Sequence, residues 1–319
     1  MRKFGVKIGL YLVLFLGIIA GGILLPPTNT NNILFSLQDK HKIIDSLQEK
    51  YPSTPLVYWV GGSNVNFGID SKLISDSLLL PCVNTAVHGG LGLKFELNNA
   101  LRYARKGDIV VLMPEYENFW NFNNEMADGQ CELLHTIMDV YPDGKKLIEP
   151  KQWNKMLMYL PRYLHDKYIQ YLPTNYRKRN KTDLGAYTRH NYNAYGDAIL
   201  HLDKKPVPFL AMPQLGAPIN GEIQEFLIQK NREFYARGIR FCILFPGYQQ
   251  TSYKNNQAAI HELYKRFKDE GLPVVGTPER YVFDDSLFYD TYYHLNRQAR
   301  EIRSIFVAQD LKNSVAENK

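Results

Sequence analysis

The sequence predicts an α/β protein: a doubly wound parallel sheet with helices on both faces, carried on an N-terminal transmembrane helix and interrupted by a helical insertion. Three observations predict it. Short runs of Val, Ile and Leu alternate with amphipathic stretches, an uncharged apolar run opens the chain, and the alternation breaks over residues 141–205. Near-continuous apolar strands separated by helices are the pattern of a parallel sheet buried on both faces.

In chain order, the tail 1–7 carries Arg2, Lys3 and Lys7, and residues 8–25, "IGLYLVLFLGIIAGGILL", carry no charge. At about 1.5 Å per residue this run spans roughly 27 Å, near the hydrocarbon thickness of a bilayer. Pro26-Pro27 end the helix. A cleaved signal peptide would have a shorter apolar region closed by small residues of the A-x-A kind, so an uncleaved anchor in the lipid bilayer is expected. Basic residues precede the span only, which places the tail in the cytoplasm and the bulk of the chain outside it, periplasmic or extracellular. Residues 26–54 read as a linker and a lead-in helix with Ile33, Leu37, Ile44 and Leu47 at helical spacing. A domain of flavodoxin-like type is expected over 55–319, with strands at 55–60, 82–87, 108–113, 239–245 and 272–276. Helices are expected at 67–79, 91–105, 128–139, 219–237, 254–270 and 296–312.

Between 141 and 190 there are 11 Lys or Arg against 4 Asp or Glu, a surplus of +7 beside +6 for the whole chain. Within it, "WNKMLMYLPRYLHDKYIQYLPTNYRKRNK" interleaves aromatics with cations, Arg177, Lys178 and Arg179 among them. Such a stretch either rests on a membrane surface or an anionic polymer, or is a helical insertion with a solvated basic face. Nucleic acid is not an expected partner outside the cytoplasm. Cys82, Cys131 and Cys242 are too few and scattered for a disulfide framework or a zinc site. They read as two small buried hydrophobes and a spare, and no metal or cofactor is expected.

Ligands of open α/β sheets bind beyond the carboxyl ends of the strands, and "VYWVGGSN" (57–64) ends a strand in Gly61-Gly62-Ser63-Asn64. A serine there becomes a nucleophile only with a base and with donors for the oxyanion. Asp290 and His294 in "LFYDTYYHLNRQAR" offer carboxylate and imidazole, although an Asp helix cap beside a surface His would read the same. Donors would come from the Ser63 amide, flanked by Gly62 and Asn64, or from Gly89, Gly90 and Gly92 of "NTAVHGGLGL". A third rim loop, "MPEYENFW", sets Glu115, Tyr116 and Glu117 beside the same cleft, or caps the next element.

These blocks, in this order, resemble the SGNH (GDSL-like) hydrolase superfamily: "GGSN" its first block, "NTAVHGG" its second and "DTYYHLN" its last. The D-T-x-x-H-L-N string and "GDIVVLMPEYENF" are similar to the membrane-anchored branch typified by DltD and the alginate-acetylation proteins. The likeness covers most of 55–125 and 235–310. It implies Ser63 as nucleophile, His294 as base, Asp290 as orienting carboxylate and Gly90 or a neighbouring amide in the oxyanion hole. The activity it implies is that of a serine esterase or O-acyl(acetyl)transferase on a cell-envelope or exported polysaccharide, supplied by a membrane-bound O-acyltransferase. A non-catalytic partner of such an acyltransferase, or a polysaccharide-binding protein, is the alternative. Two departures stand out. Three residues rather than two separate Asp290 from His294, and Glu115-Tyr116-Glu117 precede Asn118 where the superfamily presents an Asn to the oxyanion.

Overall fold

The computed structural model describes residues 2–30, 32–120, 124–173, 175, 185–215 and 218–316. At its centre four parallel strands, β1 (Val57–Val60), β2 (Cys82–Asn84), β3 (Ile109–Leu112) and β4 (Arg240–Ile243), pair in the order β2-β1-β3-β4. Their apolar runs are buried, so helices must cover them. Val57 lies opposite Cys82 and Ile109, and Val60 opposite Leu112. The expected strand 272–276 shrinks to one parallel bridge between Val274 and Ile243. Pro273 has no N–H to donate; its carbonyl accepts the Ile243 N–H at 2.9 Å and pairing stops one residue later. Likewise 82–87 is a strand only to Asn84, whose side-chain oxygen turns to accept the Ala86 N–H at 3.1 Å. A second parallel pair, β5 (Tyr248–Gln249) and β6 (Val282–Phe283), is two residues long on each side.

The expected helix 67–79 is two: α3 (Ser63–Gly68) and α4 (Ser71–Leu78). Asp70 separates them. Its carboxylate accepts the Leu73 N–H at 3.1 Å, an N-cap that starts a new helix, and its own N–H donates to Ser304 Oγ at 2.8 Å. Further on, α5 (Leu93–Tyr103) and the helices Gly221–Ala236, Gln250–Asp269 and Arg297–Ala316 flank the sheet close to the expected bounds. The main core unites Trp59, Val83, Val111, Ile243, Phe234 and Val307. Cys82 and Cys242 are buried and Cys131 is half-buried, all three as free thiols.

A smaller core forms where the lead-in helix α2 (Ser36–Lys50) meets α7 (Cys131–Val140), which follows the short α6 (Asn124–Asp128): Leu34, Leu37, Phe95, Leu134, Ile137 and Met156. There α8 (Pro150–Gln170) begins at a reciprocal cap between Glu149 and Gln152, with Pro at its first turn. The second part of the expected insertion is tied to the sheet. Asp197, fully buried, accepts from the Ser71 N–H (2.9 Å), the Ser71 hydroxyl (2.6 Å) and Asn84 Nδ2 (3.1 Å). The Asn84 N–H donates to Tyr195 O at 2.8 Å, so residues 191–200 cover the outer edge of β2. Arg177, Lys178 and Arg179 lie outside the described residues. At the other end α1 (Arg2–Leu24) is long and apolar enough to cross a membrane, and nearly all of it is exposed.

Candidate active site

The carboxyl ends of β1 and β3 open onto a cleft of about 360 Å3 whose walls include Ser63, His88, Glu115, Glu117, Tyr187 and His294. The turn that delivers Ser63 works only with glycine. A Cβ on Gly61 would stand 2.5 Å from Met113 O and 2.6 Å from Val65, so a side chain there would push β1 off β3. A Cβ on Gly62 would stand 2.6 Å from the Gly89 Cα and 2.7 Å from Glu115 Oε1, and one on Gly89 would strike Glu115 Oε2. The two glycines thus leave a niche, and the Glu115 carboxylate fills it. Glu115 Oε1 accepts both the Ser63 hydroxyl and the Asn64 N–H, each at 3.1 Å. Strand register makes this meeting automatic. Val60 pairs with Leu112, and Ser63 and Glu115 each lie three residues beyond.

The opposite wall is a tight loop closed by a bridge between Phe288 and Leu295 and by the Tyr289 N–H donating to His294 O at 2.7 Å. Asp290 and His294 face each other across this loop, not along a helical turn. Asp290 Oδ1 accepts from His294 Nδ1 at 2.6 Å, and Oδ2 accepts the Tyr187 hydroxyl at 2.5 Å. The His294 ring stacks on Phe67 with centroids 4.4 Å apart. Burial pushes the Asp290 carboxyl up, but the bond to His294 and its charge, joined by the Tyr187 hydroxyl, outweigh it and hold the group below its ordinary value. A carboxylate only accepts, so Nδ1 carries a hydrogen and the neutral ring keeps its lone pair on Nε2. That atom is buried and has no partner among the described residues.

Two residues between Asp290 and His294 reach the facing loop. Tyr292 and Tyr293 both point to Glu117: the Tyr292 hydroxyl donates to Oε1 at 2.8 Å and the Tyr293 hydroxyl to Oε2. The Tyr293 oxygen also accepts the Tyr116 N–H at 2.7 Å. This ties the loop after β3 to the loop that carries His294. Burial raises the Glu117 carboxyl to about 7, the charge of Glu115 adds to the rise, and the two tyrosines oppose it.

Ser63, Glu115 and His294 therefore share one cleft, with Asp290 behind His294. Ser63 and His294 are not hydrogen-bonded to each other, because the Ser63 hydroxyl is bound to Glu115. The Gly90 amide, expected among the oxyanion donors, is taken by His88 Nδ1 at 3.0 Å and faces Gln130 and Leu133. Tyr116, expected at the rim, has its ring in the core, 2% exposed and edge-on to Tyr248, because its neighbours Glu115 and Glu117 take the cleft-facing directions. Sequence reasoning missed Tyr187, His88 and Arg303. Nothing in the sequence marks Tyr187. Burial lowers the His88 imidazole. Arg303, fully buried in the last helix, donates to Asn64 O at 2.8 Å, Asn64 Oδ1 at 3.2 Å and Phe245 O at 3.4 Å, clamping the turn after Ser63. An Arg one turn from Ala299 and Val307 on an apolar face was the legible sign. No protein-family model matches the chain, and no curated protein matches it either.

Proposed function

We propose that this chain is a membrane-anchored, extracytoplasmic serine esterase or O-acyltransferase of the SGNH kind, acting on acyl esters, acetyl first among them, of a cell-envelope or exported polysaccharide. One observation carries the reading: His294, fixed through Nδ1 by Asp290, has an unpartnered Nε2 in the cleft that holds Ser63. In the first half-reaction the Ser63 hydroxyl turns from Glu115 to Nε2, which takes its proton as Oγ bonds to the carbonyl carbon of the ester, and the carbonyl π pair moves onto oxygen. The tetrahedral adduct then collapses, and the leaving alcohol departs with the proton from Nε2. In the second half, a sugar hydroxyl or water gives its proton to Nε2 as it attacks the acyl-serine carbonyl, and the adduct collapses as Nε2 returns that proton to the departing Ser63 Oγ. A cleft of about 360 Å3 walled by Val87, Met126 and Met212 besides its polar groups suits a small acyl group. The strand order, extended by the Val274 bridge beyond β4, supports the doubly wound, flavodoxin-like reading. α1 supports the bilayer as partner, with a membrane-bound O-acyltransferase as the source of acyl groups.

The test is turnover of an aryl acetate, with serine labelling by a sulfonyl fluoride. Ser63→Ala is expected to abolish labelling and to slow turnover on the order of 10³-fold or more. Undiminished turnover in that variant would eliminate the mechanism.

A second reading rests on Glu115. A carboxylate in the niche beside Ser63 repels the negative charge of a tetrahedral adduct. If Glu115 stays there, the protein is a non-catalytic partner or polysaccharide-binding module on the same fold, and wild-type turnover and labelling will both be absent.

A further inference from the structure

One face of α8 takes no part in the site. Met158 is 85% exposed, Leu157 62%, and Ile169 and Leu172 also stand in the open. The cations of this helix are mostly paired: Lys151 with Glu222, Lys155 with Asp128 and Lys167 with Asp139. Lys151 and Lys155 stay exposed although paired, so what sets this helix apart is its exposed apolar side chains and not its charge.

The neighbour of α8 identifies what covers that face. The second half of α8 packs on the last third of α1. Tyr168 donates its hydroxyl to Ile18 O, Lys167 donates to Ile23 O at 3.4 Å and Tyr171 to Pro26 O at 2.5 Å. Gly21 and Gly22 make the approach possible, since a Cβ on Gly22 would lie 2.8 Å from Leu164 Cδ2 and 3.0 Å from the Tyr168 ring. Ile18 comes seven residues before Leu25, the end of the apolar run. At 1.5 Å per residue that is about 10 Å inside the run. The Tyr168 hydroxyl therefore reaches a depth that a membrane span gives to lipid. By helical spacing Leu157 continues the stripe of Leu164 and Tyr168 that touches α1, and Met158 and Ile169 lie on the stripe beside it, with Arg162 and His165 between.

We infer that α8 is an interfacial helix. It lies in the headgroup–acyl boundary of the outer leaflet with Leu157, Met158, Ile169 and Leu172 against lipid tails, an inference that rests on α1 being a membrane span. Arg162 and His165 extend from the same face to the headgroups, as long amphipathic side chains do at interfaces. The domain is thereby fixed in orientation on the bilayer at two points, not tethered at one.

Spin labels test this in the full-length chain, reconstituted in phosphatidylcholine–phosphatidylglycerol vesicles. In a Cys131→Ser background, single labels are placed by Val13→Cys, Met158→Cys, Ile169→Cys and, as the water-facing reference, Lys254→Cys. Labels at 13, 158 and 169 are expected to collide more with oxygen than with a nickel chelate, and the label at 254 the reverse. If the label at 13 favours oxygen while those at 158 and 169 behave like the one at 254, the interfacial placement is overturned, the span stands, and a polymer or protein partner becomes the occupant to seek. If the label at 13 itself behaves like the one at 254, the span fails and the inference with it.

Discussion

On one wall of the cleft His294 is oriented by Asp290, backed by Tyr187 and stacked on Phe67, and its Nε2 has no partner among the described residues. On the facing wall Ser63 has its hydroxyl, and Asn64 its amide, bound to Glu115. The imidazole is oriented and open; the serine hydroxyl is oriented and occupied. Both walls are equally buried, so burial does not separate them. The difference is one of sign. A carboxylate behind an imidazole favours the charge that the ring gains in general-base catalysis, whereas a carboxylate beside the serine opposes the charge that the adduct gains.

The largest effect expected from breaking this contrast comes from Glu115→Gln. It removes the repelling charge and offers an N–H to the same niche, and one oxyanion donor is worth roughly 10²-fold in kcat. Aryl-acetate hydrolysis should therefore rise by about that factor. A fall equal to that of Ser63→Ala would make Glu115 the base that serves Ser63 and would reverse the roles of the walls. No activity in either protein would leave the non-catalytic reading.

A smaller effect concerns the tie between the walls. Folding raises the Glu117 carboxyl from 4.5 to about 7. The folded state thus favours its protonated form. That contribution is present in full below pH 4.5 and is lost as pH rises through about 7, where the ionised group costs on the order of 3 kcal/mol. Glu117→Gln should flatten the fall of Tm between about pH 5 and pH 8, measured by thermal unfolding; an unchanged slope would mean that the carboxyl titrates as an exposed one does.

The smallest effect sharpens the His294 wall alone. Tyr187→Phe removes one donor to Asp290 and leaves the Asp290–His294 bond, a loss of about 1 kcal/mol or roughly fivefold in kcat/KM. Its pH–rate profile should shift, because the carboxylate behind the ring loses a hydrogen bond; an unmoved profile would make Tyr187 a packing residue only.

Much of this was legible in the sequence. Strands β1, β3 and β4 come from apolar runs with nowhere to go but a core, and the long apolar helix α1 from an uncharged run. The Asp290–His294 pair was also legible as two residue types close in sequence. The errors are local and have local causes. Asp70 and Ser71 form a capping signal inside what reads as one helix. Pro273 removes the donor that a fifth strand needs. The second part of the expected insertion reads as loop because of residues such as Asn193 and Asp197, and only the bonds of Asp197 to Ser71 and Asn84, with Asn193 bonded to Asp197, show that it seals the sheet edge.

By itself the chain's order of apolar and polar residues determined which segments are strands, which helix is fit for lipid, and where glycines permit sharp turns, because hydrophobic burial and backbone sterics act on neighbours in sequence. What stands next to Ser63 is a different kind of fact. Glu115 is 52 positions away and reaches it only because β1 and β3 are adjacent, parallel and in register, so that loops of equal length leave them side by side. The same holds for Tyr168 on Ile18, 150 positions apart. Strand order and helix docking are set by packing of the whole chain, and they decided both the partner of the Ser63 hydroxyl and the face that α8 turns outward.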